Sequence, residues 1–149
     1  MTQPRPFTTV APPPAAALAI AYFTPLMAPT PVATRTPQPS KTEDTINNFL
    51  RIEAAGGTPH REQLLFRTSI LLHCYCTNSQ ESAGEQTLGK ALAWGGNAQG
   101  TWITHPSTGD DYFVAASTIT ALAHKQADPA VALTRWRGMI TWLIQGKAI

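Results

Sequence analysis

The sequence predicts a single α+β domain in which two helices pack on a mainly antiparallel sheet of four to five strands. Two segments carry apolar residues at the three- and four-residue steps of a helix, and several others alternate with the two-residue period of a strand. The chain has 149 residues, of which 43% are hydrophobic, and this is enough to bury one core. We therefore expect one domain, residues 15–149, preceded by an extended proline-rich arm, residues 1–14.

The amino-terminal quarter differs in kind from the rest, because ten of the 13 prolines lie in the first 39 residues. Pro14 suits the first turn of a helix, where its missing amide hydrogen costs nothing. The apolar run that follows continues this helix, and Pro25 and Pro29 bring it to an end. Residues 31–37 are then predicted to form a short strand that prolines confine to an edge or to the start of a sheet.

A hairpin is predicted next. Residues 39–47 form a polar loop, residues 49–53 alternate as a strand, and residues 54–59 have the composition of a turn. The strand that begins near Leu64 completes the hairpin. Its polar tip, residues 57–62, is a candidate contact arm, because exposed loops commonly carry binding residues.

The block from Leu64 to Trp94 predicts a strand that runs directly into a helix. The strand is expected to be half-buried, with one apolar face made by Phe66, Ile70, Leu72, Cys74 and Cys76 and the other face made by Arg67, Ser69, His73 and Tyr75. Asn78 and Glu81 have the spacing of a reciprocal helix cap. The helix should bury a narrow stripe of mostly small residues, Gly84, Leu88, Ala91, Leu92 and Gly95, and end at Gly95-Gly96.

The remaining third is predicted to be mostly strand. Residues 102–104 form a short strand in a glycine-rich segment. Residues 113–125 satisfy both the helical and the strand period, and we favour a strand. The last strand, residues 135–144, places Trp136, Ile140, Trp142 and Ile144 on one face.

Composition favours assembly over binding to nucleic acid or membrane. Charged residues make up 13% of the chain, against roughly 25% in an average soluble domain, and the net charge is +2. So little charge suits a protein that associates with copies of itself. The basic residues are scattered, and no apolar run approaches the roughly 20 residues of a membrane span. Two cysteines one residue apart favour a reducing compartment.

No arrangement in the sequence predicts a catalytic, cofactor or metal site. Cys74 and Cys76 lie beside His73, but that histidine should point away from both sulfurs, and two ligands fall short of a closed zinc site. The other histidines, His60, His105 and His124, are expected to be solvated or bonded locally. The sequence contains the residue types of a catalytic triad, with several serines, His105 and Asp110, but it has no Gly-x-Ser-x-Gly nucleophile elbow.

The order of these pieces resembles the tail terminator proteins of long-tailed bacteriophages, particularly those that infect actinobacteria. The resemblance covers residues 15–146 and rests on the amino-terminal helix, the strand Pro31-Val32-Ala33-Thr34-Arg35-Thr36-Pro37, the hairpin with Gly56-Gly57, the long strand into the helix, and the closing Asp128-Pro129, Arg135-Trp136 and Thr141-Trp142-Leu143-Ile144. Thr134 stands where members of that family commonly have a proline.

The resemblance implies a curved sheet, a ring of six copies and no chemistry. Such a ring caps the tail tube, stops its polymerisation and joins it to the head connector, while DNA passes through the lumen. It would be assembled in the host cytoplasm and reside at the tail-neck junction of the virion, with the tail tube protein and the head-closure protein as partners. Exposed edges and tips would make the contacts between subunits. We expect them at the amino-terminal arm and at Arg35, Pro37, Gly57, Pro59, His60 and Arg61.

Three other interpretations stay open from the sequence alone. A head-closure or head-tail adaptor subunit would form a different ring of the same neck. A small cytoplasmic enzyme or ligand-binding domain would use the glycine-rich residues 95–111 as a pocket wall. A secreted domain would result if residues 15–28 served as a cleaved signal.

Overall fold

The computed structural model describes residues 10–37, 48–60, 64–127 and 133–148. Within these ranges two helices lie on a curled six-stranded sheet, and a separate two-stranded pair is formed by residues near the two ends of the chain. The α+β prediction is confirmed, with more strands than the four to five expected. The predicted loop at residues 39–47 and the hairpin residues Arg61 and Glu62 lie outside the described ranges.

Within the described ranges the strands and helices follow one another without an internal repeat. In chain order they are β1 (Val10–Ala11), α1 (Ala15–Met27), β2 (Val32–Ala33), β3 (Phe49–His60), β4 (Leu65–Cys76), α2 (Glu81–Gly96), β5 (Trp102–Thr104), β6 (Asp111–Ala127), β7 (Thr134–Gln145) and β8 (Lys147–Ala148). A single 3-10 turn, Asn78–Gln80, leads into α2.

The six-stranded sheet has the order β2-β3-β4-β7-β6-β5, and β1 pairs with β8. All neighbours are antiparallel except β2 and β3, which are parallel over Val32–Leu50 and Ala33–Arg51. The centre is the pair β4 and β7, which runs from Leu65 opposite Gln145 to Cys76 opposite Thr134. The short strand β2 lies at the edge of the sheet, as its flanking prolines predict.

Trp142 of β7 joins both helices to the sheet. It is fully buried, and its indole Nε1 donates a hydrogen bond of 2.8 Å to the carbonyl oxygen of Gly95 in α2. Its ring stacks on Phe23 of α1 at 6.1 Å and meets Tyr22 edge-on at 5.3 Å. The predicted apolar face of the last strand therefore forms the middle of the core.

The small-residue stripe of α2 is confirmed. The buried positions are the predicted ones, Gly84, Leu88, Ala91, Leu92 and Gly95. A Cβ atom at Gly84 would lie 2.5 Å from the Cys76 Sγ atom, and one at Gly95 would lie 2.7 Å from the Ile140 Cδ1 atom. Glycine therefore allows α2 to approach β4 and β7 more closely than any other residue would.

The predicted helix cap is wrong. No side chain caps the amino terminus of α2, and the hydroxyl of Thr134 lies within hydrogen-bond distance of Asn78 Oδ1, at 2.8 Å, and of Glu81 Oε1, at 3.1 Å. The Asn78 and Glu81 side chains accept from Thr134 of β7, and they do not accept from the backbone amides at the start of the helix. Both residues thus tie the start of α2 to the sheet.

Two predictions about the hairpin strands are also corrected. Residues 54–59 are not a turn, because β3 continues to His60 through a register shift between Ala54 and Gly57, where Gly56 has a φ of 80°. The glycines that predicted a turn lie at this β-bulge instead. The strand β4 is not half-buried, since Leu71, His73 and Tyr75, on its second face, are at most 9% exposed.

The predicted strand at residues 113–125 is confirmed and is longer, as β6 has 17 residues. Its register against β7 shifts at three places, between Val114 and Ala116, between Ile119 and Ala121, and between Ala121 and His124. Each shift interrupts the two-residue alternation, which explains why the sequence satisfied both periods.

Candidate assembly surfaces

Two of the segments predicted to make subunit contacts meet at one groove. Gly57 and Pro59 of β3 line it together with Pro12 and Pro13 at the base of the arm and with Phe66 of β4. We call it the hairpin groove; its volume is about 340 Å³ and its lining is mostly apolar. Every residue from Ala54 to Pro59 is exposed. The structure thus brings the base of the arm and the hairpin together on one surface.

Glycine is required at position 57 by the backbone alone. A Cβ atom there would lie 1.8 Å from the carbonyl oxygen of Arg67 on the neighbouring strand, a distance that no side chain can occupy. His60 ends β3 opposite Leu65. The predicted contact residue Arg61 lies outside the described residues.

Arg35 and Pro37 lie apart from this groove, near the other end of β3. The guanidinium carbon of Arg35 is 5.1 Å from the centre of the Phe49 ring, a cation–π contact, and Pro37 is buried. Phe49 and Pro59 are roughly 30 Å apart along an extended strand of this length. The sequence-predicted contact residues therefore form two groups on the same side of the sheet.

Two strands have long outer edges that no strand in the described ranges pairs with. On β3, the partner β2 reaches only Leu50 and Arg51, so the outer edge is free from Ile52 to His60. On β6, the partner β5 reaches only Asp111 to Phe113, and Val114 bonds to the preceding loop. The outer edge of β6 is therefore free from residue 115 onward, apart from the Ser117 hydroxyl, which accepts from the Gln99 amide and donates to the Gly96 carbonyl.

The free edge of β6 is unusually apolar for an exposed strand. Residues 112–123 include no Asp, Glu, Lys or Arg. Ile119 is 39% exposed and Leu122 is 73% exposed. Thr118 and Thr120, on either side of Ile119, are exposed as well. Natural proteins commonly protect an exposed edge strand from pairing with another chain by placing charged residues or bulges on it. The free part of β6 has bulges, but residues 115–123 carry no charge. The sequence signal for this edge was a charge-free run of good strand formers.

A second groove lies between α1 and β5, and the sequence did not indicate it. Tyr22, Pro25, Leu26, Trp102 and Thr104 line this α1–β5 groove, which has a volume of about 360 Å³. Trp102 is 63% exposed and contacts the Phe113 ring at a centroid distance of 5.0 Å. The Tyr22 hydroxyl donates to the carbonyl oxygen of Trp94, itself 47% exposed.

The face of the sheet away from the helices carries a row of basic residues. Arg51, His73, Arg137 and His124 are register partners across four adjacent strands. His73 was expected to face solvent and is 3% exposed instead. Its Nε2 atom lies 3.5 Å from Glu53 Oε2, and Glu53 Oε1 accepts a 3.0 Å hydrogen bond from Arg51.

This environment keeps the His73 ring neutral. Burial and, to a smaller extent, the charge of Arg51 lower the pKa of His73 to about 4, because the opposing effect of Glu53 offsets only part of theirs. A histidine with so low a pKa carries no proton near neutral pH. His73 is therefore a packed part of the sheet and is poorly suited to acid–base catalysis.

The two thiols are equally unsuited to chemistry. Both are buried, and burial raises the pKa of Cys74 to about 12, with a smaller contribution from Cys76. Burial is also the main reason that the pKa of Cys76 is raised. His105 is bonded locally, as expected, because its Nδ1 atom accepts from the amides of Ser107 and Thr108. Among the residues described, no three His, Cys, Asp or Glu side chains are grouped so as to hold a metal ion.

Comparison with known proteins assigns no family to the chain. No family model matches it, and no curated protein matches its sequence. No helix in the described ranges has both the length and the apolar character that crossing a membrane requires.

Proposed function

We propose that this chain is a structural subunit that assembles head to tail into a ring, and that the ring is a tail terminator of a long-tailed bacteriophage. The observation that carries the proposal is the presence of two unlike free edges, on β3 and on β6, at opposite sides of one sheet. When one edge of a copy meets the other edge of the next, the same contact repeats. Such a heterologous contact closes into a ring if its rotation allows.

The side chains on the two edges suit this contact. The β6 edge offers Ile119 and Leu122, apolar groups that a lone subunit leaves in water. The β3 edge offers small residues from Ala54 to Gly57, which leave the backbone accessible to an added strand. The chain carries little charge that would oppose close approach, since charged residues are 13% of the total.

The tail terminator role itself rests on the resemblance of the elements in their order. In that role the ring caps the tail tube, stops its elongation and presents the opposite face to the head-closure protein, while genomic DNA passes through without being read. The protein would be found in virions at the tail-neck junction after assembly in the host cytoplasm. Neither the buried thiols nor the neutral His73 is needed, because the role requires no catalysis.

The edge contact is tested by placing a charge on it. Leu122→Lys adds a cation to the free edge of β6, where the side chain is 73% exposed and the subunit fold does not depend on it. Gln86→Lys, on the exposed surface of α2, is the matched control with the same charge change. Native mass spectrometry over a range of protein concentrations should show a ring of about six copies for the unaltered chain. Leu122→Lys should lower the ring population at least tenfold, and the control should leave it within twofold.

The terminator role is tested with tails that lack this protein. Adding the purified chain should stop further growth of the tube and place a ring at one tube end, seen by electron microscopy. Leu122→Lys should lose both effects. Binding to the head connector in preference to the tube would point to a head-closure ring, and a chain that remains monomeric and binds neither would overturn the proposal.

A further inference from the structure

The α1–β5 groove has the composition of a peptide-binding surface. Trp102, which lines it, is 63% exposed, and Leu26 is 36% exposed. Half-exposed tryptophans beside a groove are typical of binding hot spots, because a large rigid ring gains much on burial at little entropic cost. The opposite wall includes Tyr22 and Pro25 of α1, and the lining is mostly apolar. The groove therefore presents an aromatic ring on each of its walls.

We propose that residues 1–9 bind in the α1–β5 groove of their own chain, an inference that does not depend on the proposed ring. Aromatic-lined grooves recognise extended proline-rich segments, because proline rings stack on flat aromatic faces and the segment loses little entropy on binding. Residues 4–7 have the sequence Pro-Arg-Pro-Phe, which supplies two such rings and one aromatic anchor. Four residues in the polyproline II conformation extend about 12 Å. The three residues of β5 extend about 10 Å, so the motif matches the strand wall in length.

The pairing of β1 places the start of this segment beside its own groove. The strand β1 pairs with β8, and Ala11 lies opposite Lys147. The Lys147 ammonium lies 5.5 Å from the centre of the Tyr112 ring. Tyr112 is in turn the register partner of Ile103, which lines the groove. Residues 1–9 are therefore joined to the fold at a point that three successive contacts connect to the groove.

This tether favours the same chain over a neighbouring copy. Nine extended residues reach about 30 Å, enough to run from β1 along the whole of the groove. A short tether gives a segment an effective concentration in the millimolar range near its site. A contact too weak to recruit a second copy at micromolar protein concentration can therefore still form within one chain. Pro12 and Pro13 line the hairpin groove, so only the residues before β1 have to reach the α1–β5 groove.

Charge at the rim of the groove fits the same occupant. The Asp111 carboxylate accepts a 2.5 Å hydrogen bond from the hydroxyl of Thr104, a groove residue, so it lies at the rim, and Asp110 precedes it. These two acids outnumber the single lysine that lies on the neighbouring tyrosine ring. Arg5 is the one charged side chain in residues 1–9. An arginine between two prolines can therefore pair with the acidic rim while its neighbours cover the aromatic wall.

The first experiment uses the full chain with Phe7→p-benzoylphenylalanine, a photoreactive residue, at a concentration where native mass spectrometry shows single subunits. An equal mixture of isotopically light and heavy chains is irradiated, and the crosslinked peptides are identified by mass spectrometry. We expect crosslinks to residues 22–26 or 102–104, each joining two peptides of the same isotope. Pairs that mix the isotopes would place the segment in another copy and overturn the inference. Crosslinks to other parts of the chain, or none, would overturn it as well.

A matched pair of variants tests the groove wall. Trp102→Ala in the photoreactive chain should lower the crosslink yield at least fivefold, because it removes the ring on which the segment stacks. Leu122→Ala also removes an exposed apolar side chain, but it lies about 30 Å along β6 from Phe113, the register partner of Trp102. This control should leave the yield unchanged. Thermal unfolding of each variant verifies that the subunit is folded, and an equal yield from both folded variants would contradict binding in the groove.

The second experiment exchanges the charges of the proposed ion pair. Arg5→Glu should lower the yield at least fivefold, and adding Asp111→Lys to it should restore at least half of the original yield. No loss with Arg5→Glu, or no recovery in the double variant, would overturn the pairing of the segment with the rim. Rings that form while residue 7 crosslinks elsewhere would overturn this inference alone. Crosslinks to the groove in a chain that forms no ring would count against the proposed function alone.

Discussion

Replacing Gly84 with Ala tests how closely α2 approaches the sheet. The added Cβ atom would lie 2.5 Å from Cys76 Sγ and 3.1 Å from Cys76 Cβ, and Cys76 is 1% exposed, so its side chain has no free space to move into. Alanine gains about 1 kcal/mol over glycine inside a helix. Overpacking a closed core costs about 1–3 kcal/mol, so we expect a net loss of up to about 2 kcal/mol in the free energy of unfolding.

The same helix contains its own control. Gly89 is exposed, and nothing lies within 4 Å of the position of an added Cβ atom. Gly89→Ala should therefore raise the free energy of unfolding by up to about 1 kcal/mol. Urea denaturation of both variants, with equal m-values, measures the difference. Equal stabilisation by the two substitutions would refute close contact between α2 and β4.

Two further predictions concern the buried polar groups. His73 has a pKa of about 4 in the folded protein and about 6.5 when unfolded, so the unfolded state takes up a proton first as the pH falls, and stability should decline between pH 6.5 and 4. The loss from pH 7 to pH 5, on the order of 2 kcal/mol, should be absent in His73→Gln, measured by urea titration at both pH values, and an equal loss in both proteins would contradict it. Cys74, with a pKa of about 12, and the buried Cys76 should resist a thiol reagent at pH 8 until urea unfolds the chain, so labelling of the native protein would show that the thiols are accessible.

Local periodicity was sufficient to predict the elements with a regular pattern. The stripe of α2 and the face of β7 that carries Trp142 were both identified residue by residue, because a helix or regular strand repeats its contacts at fixed steps. The hairpin of β3 and β4 was predicted for the same reason. These elements position most of the core.

The errors arise where tertiary contacts override a local signal. Asn78 and Glu81 have ideal cap spacing, yet the Thr134 hydroxyl, more than 50 residues away, is their hydrogen-bond partner. His73 and Tyr75 alternate as solvent-facing residues should, yet side chains of adjacent strands, among them Phe49, share their face of the sheet. Neither contact can be predicted from the sequence around the residue, because the partners are distant in the chain.

The assembly surfaces were predicted only in part for a related reason. Glycine and proline at positions 57 and 59 marked an exposed hairpin, and the structure adds that the base of the arm lies beside it. A free edge, however, depends on which strand lies next to which. The neighbours of β6 are β7 and, over three residues, β5, an order that follows from the whole sheet and from no single segment.

The shape of the sheet bears on whether head-to-tail contacts close. A flat sheet would present its two outer edges in line, and repeated pairing would extend into a fibre. Here the sheet is curled, β3 carries a bulge, and β6 shifts register three times, and such irregularities bend strands and increase their twist. A strand pair between such edges turns each copy relative to the last, and a turn of about 60° closes six copies. In the proposed ring, the bulges that keep these edges from open-ended pairing would also supply the rotation between copies.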